Sequence, residues 1–247
     1  MKNGIPGLCI EARDFFVLDL LTTKKGVYEM HIEPGFISQA KVMGANAAAM
    51  GVLGFYARKF IQQPFDIVKA SLAAVFFSIF MQSFHMSVGP SELHFVGAMA
   101  IYLTLGFVPT LFGFALGLLL QGMVFEPTDL PHLAVNSLSL IVPLITVHLT
   151  TGRKFLDGAS GRKLSWKAIL KLDAVYYAGV TAMVGFWLLI GDVATPFSAW
   201  LSFASSYLVV VACEPIVTLT TVRALKRYEH AQLIQRLFVV KGLKLQS

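Results

Sequence analysis

Met30-His31-Ile32-Glu33-Pro34-Gly35-Phe36 holds the most evident chemistry in this sequence. With Met30 as the first residue, its α-amine and the following amide nitrogen would close a five-membered ring around a metal. That amide and the His31 imidazole Nδ1 would close a six-membered one. Three coplanar nitrogens suit Ni2+ or Cu2+ in square-planar geometry, with Co2+ a close neighbour. Coordination must expel protons from the amine and the amide, so affinity should fall as pH drops. The set needs a fourth ligand. His94 closes the turn-rich stretch Ser87-Val88-Gly89-Pro90-Ser91-Glu92-Leu93-His94, and a neutral imidazole there can complete the plane. His132, behind Pro131 in an acidic segment, is a weaker accessory ligand. His85-Met86 reads as an interfacial pair, and His148 and His230 are given no metal role.

The chelate depends on where the chain starts. Residues 1–29 read as neither signal peptide nor helix: Glu11, Arg13, Asp14 and Asp19 interrupt any apolar core, and Val27-Tyr28-Glu29 is no small-x-small cleavage site. Lys25-Gly26-Val27 permits the codons of a bacterial ribosome-binding sequence at a workable distance before Met30. The expectation is that Met30 is the true start and 1–29 a mis-assigned leader, the alternative being a disordered arm.

The elements that must position these groups are apolar. Of 247 residues, 56% are apolar and 14% charged, and the mean hydropathy is +0.69. A soluble domain carries about 25% charged residues, and one core could not cover so much apolar surface in a chain of this length. The two cysteines, Cys9 and Cys213, form no disulfide framework and show no zinc spacing. The reading is an all-α, multi-pass membrane protein with about seven spans, at approximately 37–57, 67–85, 93–108, 109–125, 133–151, 172–191 and 197–222. Crossing hydrocarbon takes about 20 residues. Gly44, Ala45, Ala47, Ala48, Ala49, Gly51 and Gly54 in the first run favour a central helix. No internal repeat is visible, which argues against an inverted-repeat carrier.

Charge sets the topology. Arg58, Lys59 and Lys69, the basic residues of 153–171 and those of 223–244 fall on one side of this arrangement. Segments 85–92, 126–132 and 192–196 hold no Lys or Arg and carry Glu92, Glu126, Asp129 and Asp192. The net charge of +6 therefore reads as topology rather than nucleic-acid binding. By the positive-inside rule the first span starts outside and the tail is cytoplasmic, and the acidic outer face concentrates cations.

Among polar residues inside the spans, Gln121 and Asn136 lie near outer ends. They could hold a liganding imidazole or bond another helix. Glu214, a costly carboxylate within a span beside a kinking Pro215, is read as structural or coupling rather than liganding. No paired intramembrane carboxylates, His-Glu-x-x-His or Gly-x-Ser-x-Gly motif suggest an enzyme. Gly158-Ala159-Ser160-Gly161-Arg162-Lys163 lacks the spacing of a phosphate loop, so no ATPase of its own is expected. The basic tail, 224–247, intersperses Leu233, Leu237, Phe238 and Val239 with charges, to lie on the membrane or dock a partner.

The opening Met30-His31-Ile32-x-x-Gly35-Phe36, His94 with Gly97 and Gly106, Gln121 through Asn136, and Glu214 with Thr218 together resemble the CbiM/NikM family over about 31–223. Departures are Glu33-Pro34-Gly35 after the opening, a serine run reduced to Ser91 before Glu92, the stretch Glu126 to His132, and Cys213-Glu214-Pro215 in the last span. They mark a divergent branch. The resemblance implies the substrate-capture component of energy-coupling-factor cobalt and nickel transporters, spanning 30–223. In that family the terminal amine and amide, the second-position histidine and the loop histidine bind the metal, which here are Met30, His31 and His94. Ser91, Gln121, His132, Asn136 and Glu214 stand behind them or on the path. Co2+ or Ni2+ would be cargo, with no permanent cofactor. Partners would be a transmembrane coupling subunit, paired ATP-binding subunits and, as an optional addition, a small accessory membrane subunit, with no nucleic acid. The location would be the bacterial cytoplasmic (inner) membrane. The rival reading is a self-sufficient divalent-cation channel or secondary transporter.

Overall fold

The computed structural model describes residues 37–83, 85–88, 91–158 and 161–246. The expected opening at Met30 and His31, with the leader before it, lies outside the described residues.

The fold is a helical bundle. Helix α1 spans Gln39–Gln62 and stops before Pro64, which cannot continue it. Helix α2, Asp66–Ser83, leads into a hairpin of β1 (His85–Val88) and β2 (Ser91–His94), paired antiparallel with His85 opposite His94. Then come α3 (Ala98–Leu105) and α4 (Phe107–Val124). A tight helical segment, Pro127–His132, feeds α5 (Leu133–Val147), which continues through a widened turn, His148–Gly152, into α6 (Arg153–Leu156). After β3 (Lys163–Leu164), α7 covers Trp166–Ile190, started by Ser165 Oγ accepting the Ala168 amide at 3.2 Å. Helix α8, Phe197–Arg227, is followed by α9 (Gln232–Leu237) and β4 (Lys244–Leu245).

Each expected apolar run falls on helix, but five helical stretches are long and apolar enough to cross a membrane by length and composition: α2, α4, the segment Pro127–Leu156, α7 and α8. Two runs differ. Helix α1 reaches about 36 Å at helical rise, yet Lys41, Asn46, Arg58, Lys59 and its glycines lower its hydropathy. The run 93–108 is not one span: β2 takes its start, and α3 is confined to eight residues, about 12 Å. Gly97 (φ 63°) and Gly106 (φ 94°) bound α3 in backbone conformations open to glycine.

Helix α1 is also not central. Among its small residues only Ala45 and Ala49 are buried, and a carbon added at Gly44, Gly51 or Gly54 would meet nothing within 4 Å among the described residues. The close approach is between α2 and α4, where a Cβ on Gly113 would lie 2.3 Å from Ala73 Cβ and one on Gly117 2.4 Å from the Phe77 ring. Small residues count toward a contact only when both helices present them to each other. Around this seam the core gathers Phe77, Met99, Tyr102, Phe114, Ile141, Leu144 and Tyr176.

The tail packs on its own chain. β4 pairs in parallel with β3, Lys163 opposite Lys244, and the Val239 amide donates to the Thr104 carbonyl at the end of α3 (2.7 Å). Lys226 Nζ donates to Leu243 O (2.9 Å) and pairs with Glu229 (2.8 Å).

These contacts predict opposite signs for one substitution. Gly113→Ala should lower stability by about 1–3 kcal/mol through overpacking. Gly51→Ala should raise it by about 0.5–1 kcal/mol through helix propensity. Thermal unfolding in detergent, followed by tryptophan fluorescence, reads both.

Candidate metal site

The end of α2 meets His94 at the end of β2. The imidazole is buried, and its Nδ1 lies 3.4 Å from the Met81 carbonyl, near the end of α2. A carbonyl only accepts, so the proton belongs on Nδ1 and the lone pair on Nε2, the tautomer of a metal-binding histidine held by a carbonyl. Beneath it, Met81 and Val96 line a cavity of about 30 Å3 together with Asn136, Ser139 and Tyr207, enough for one or two waters.

The auxiliary residues are distributed around this point. Gln121 takes the helix-bonding option: its Nε2 donates to Ser78 O (3.1 Å) and its Oε1 accepts from Gln82 (2.8 Å), tying α4 to α2 beside the Met81 turn. Asn136 faces the cavity. His132 ends the tight segment one turn before Asn136, buried, with neither ring nitrogen hydrogen-bonded. Ser91 pairs opposite Val88 in the hairpin. Among the described residues, no three His, Cys, Asp or Glu side chains gather into a metal-holding group.

The root of the N-terminal arm is fixed nearby. Ile37 packs with Ala134, Val135, Leu138 and Trp187, so the arm leaves the bundle beside the start of α5. His31 stands six positions before Ile37, a reach of at most about 20 Å. Lys41 pairs with Asp192 at 2.6 Å, joining this corner to the α7–α8 loop. That hydrogen bond holds the Asp192 carboxyl below the usual carboxylate range. Its stabilising effect is present at neutral pH and fades as pH falls through the lowered folded value.

Glu214 is not among these residues. It is fully buried on α8, accepting from the Met99 amide (2.9 Å) and from the Tyr177 hydroxyl. Nor is it the lone carboxylate expected inside the spans. Asp173 of α7 is buried as completely and lies within reach of its charge. Asp173 was the missed residue, its signal being a carboxylate just inside the sixth apolar run, one turn before Tyr176-Tyr177. His148 is engaged elsewhere, stacked on Phe107 at 3.8 Å and bonded to Tyr102 OH.

A bundle of this kind, apolar enough to cross a membrane several times, is a multi-pass membrane protein. Residues 31–231 match the family model CbiM, the cobalt uptake substrate-specific transmembrane region. The chain belongs to that family, whose members are membrane components of cobalt and nickel uptake that work with other transporter subunits. No curated protein and no solved structure matched.

Gln121→Ala should cost about 1–3 kcal/mol, because it leaves the buried Ser78 carbonyl and Gln82 without their partner. The loss should appear as a lowered unfolding temperature without metal present, which separates it from a defect in ligation.

Proposed function

We propose that this chain captures Co2+ or Ni2+ at an extracytoplasmic site and passes it inward as the substrate-specific part of an ATP-driven energy-coupling-factor transporter. The ligands are the Met30 amine, the following amide, the His31 Nδ1 and the His94 Nε2, with His132 and Asn136 at the margin. The observation that carries this reading is His94, a buried imidazole whose Nδ1 faces a carbonyl and whose Nε2 is therefore the basic nitrogen. Two further features support it. The arm that bears His31 is rooted within reach of this end of the bundle, and the family match begins at residue 31.

In this reading initiation is at Met30, the N-terminus is outside and the tail inside, in a bacterial cytoplasmic membrane. The Lys and Arg clusters fall on the tail side of this arrangement, and the positive-inside rule makes that side cytoplasmic. Energy comes from separate ATP-binding subunits acting through a transmembrane coupling subunit.

Cobalt or nickel titration of the purified chain tests the site. His31→Ala should abolish high-affinity binding, and His94→Ala should weaken it by more than about tenfold, the least that losing even a group behind a ligand costs. One residue added before Met30 should damage binding with every side chain intact. Wild-type affinity in all three would sink the proposed ligand set. Affinity should also drop on acidification, as the amine and amide regain their protons.

A further inference from the structure

Between α3, α7 and α8 lies a cluster of buried polar side chains, of which only Tyr207 also borders the cavity near His94. Its groups are Asp173, Tyr176 and Tyr177 from α7, Tyr207, Glu214 and Thr218 from α8, and the Met99 amide from the first turn of α3. All six side chains are buried, and the Tyr177 ring stacks on Tyr207 at 5.0 Å. No lysine or arginine is buried among the described residues, so the two carboxyl groups have no basic counter-charge in the core. The hydrogen bonds are unevenly shared. Glu214 accepts two, from Met99 N–H and Tyr177 O–H. Asp173 accepts none, and the Tyr176 and Thr218 hydroxyls beside the pair are also without partners.

Two ionised carboxylates cannot share such a site without a cation. Burying an unpaired carboxylate costs far more than burying a neutral unpaired group. Donors stabilise the charged form, so the charge belongs where the donors are. We propose that Asp173 and Glu214 form an intramembrane proton-binding site, in which Asp173 carries the proton and ionised Glu214 clamps the first turn of α3. Glu214 is then a positioning residue for His94: Met99 lies in the first turn of the helix that the segment from Phe95 to Gly97 joins to that histidine. Its carboxylate sits at a helix N-terminus, where an orphan amide and the helix dipole both favour negative charge.

The full chain in lipid nanodiscs, without metal, gives the first test. Infrared spectroscopy should show a protonated-carboxyl stretch that Asp173→Asn removes and Glu214→Gln retains. Hydrogen exchange at the Met99 amide should quicken about fivefold in Glu214→Gln, where a neutral acceptor replaces a charged one. The proposal is overturned by a spectrum that Asp173→Asn leaves intact, or by Met99 exchange that does not change in Glu214→Gln. It is equally overturned if Co2+ removes the band from a chain carrying His31→Ala and His94→Ala, because a metal rather than a proton would then occupy the pair. Only the last arm rests on the proposed function: Glu214→Gln should weaken cobalt binding by a similar factor. A wild-type chain that binds no cobalt would defeat that function, while the spectrum and the exchange rate still decide the carboxyl pair.

Discussion

Every backbone amide surrounded by apolar material must find its partner inside the protein. Residues 94–99 are where this chain meets that constraint most sharply. The chain leaves β2, passes through Gly97 in a left-handed conformation and starts a helix already buried, every residue of α3 being inaccessible. A helix start leaves amides without intrahelical acceptors, and in a buried one water cannot serve. Glu214 reaches across from α8 to accept from Met99. On the other flank the backbone of α2 holds the His94 ring through Met81. The presence of a carboxylate in an apolar helix thus follows from the need to begin α3 inside the bundle.

Much of this was legible as hydropathy and little of it as packing. The apolar runs located the helices, and the basic segments gathered at one end. Hydropathy along a chain says nothing about which face meets which neighbour. The glycines and alanines of α1 therefore looked central, whereas the true close contact rests on Gly113 and Gly117 against Ala73 and Phe77. For the same reason the run 93–108 looked like a span. Its apolar residues are buried by protein on all sides rather than by lipid, so they carry the hydropathy of a span without its length.

The site divides along a similar line. His94 could be picked out because its residue type and loop context both point to ligation. The group that sets its tautomer is a main-chain carbonyl of Met81, which no side-chain pattern reveals. Gln121 was recognisable as polar and near an outer end, yet choosing between ring and helix required the position of Ser78 O. Asp173 and Glu214 are far apart in sequence and meet only because α7 and α8 pack as neighbours, so their pairing is a property of the fold alone.

Helix α3 is held at both ends by groups from the C-terminal part of the chain. Glu214 takes the amide of its first turn, and the Val239 amide takes the Thr104 carbonyl of its last. Val240 and Leu243 are buried behind that second contact, and Lys226 fastens the tail by bonding the Leu243 carbonyl. An eight-residue helix has too few internal hydrogen bonds to be stable alone, so its shape and position come from these two clamps and from the core around Tyr102 and Met99. The two glycines beyond its ends supply the sharp turns. Between them α3 is a short rigid strut, with the His94 loop attached at one end and the basic tail at the other. The geometry of His94 is consequently anchored to the same C-terminal segment that closes the opposite end of the bundle.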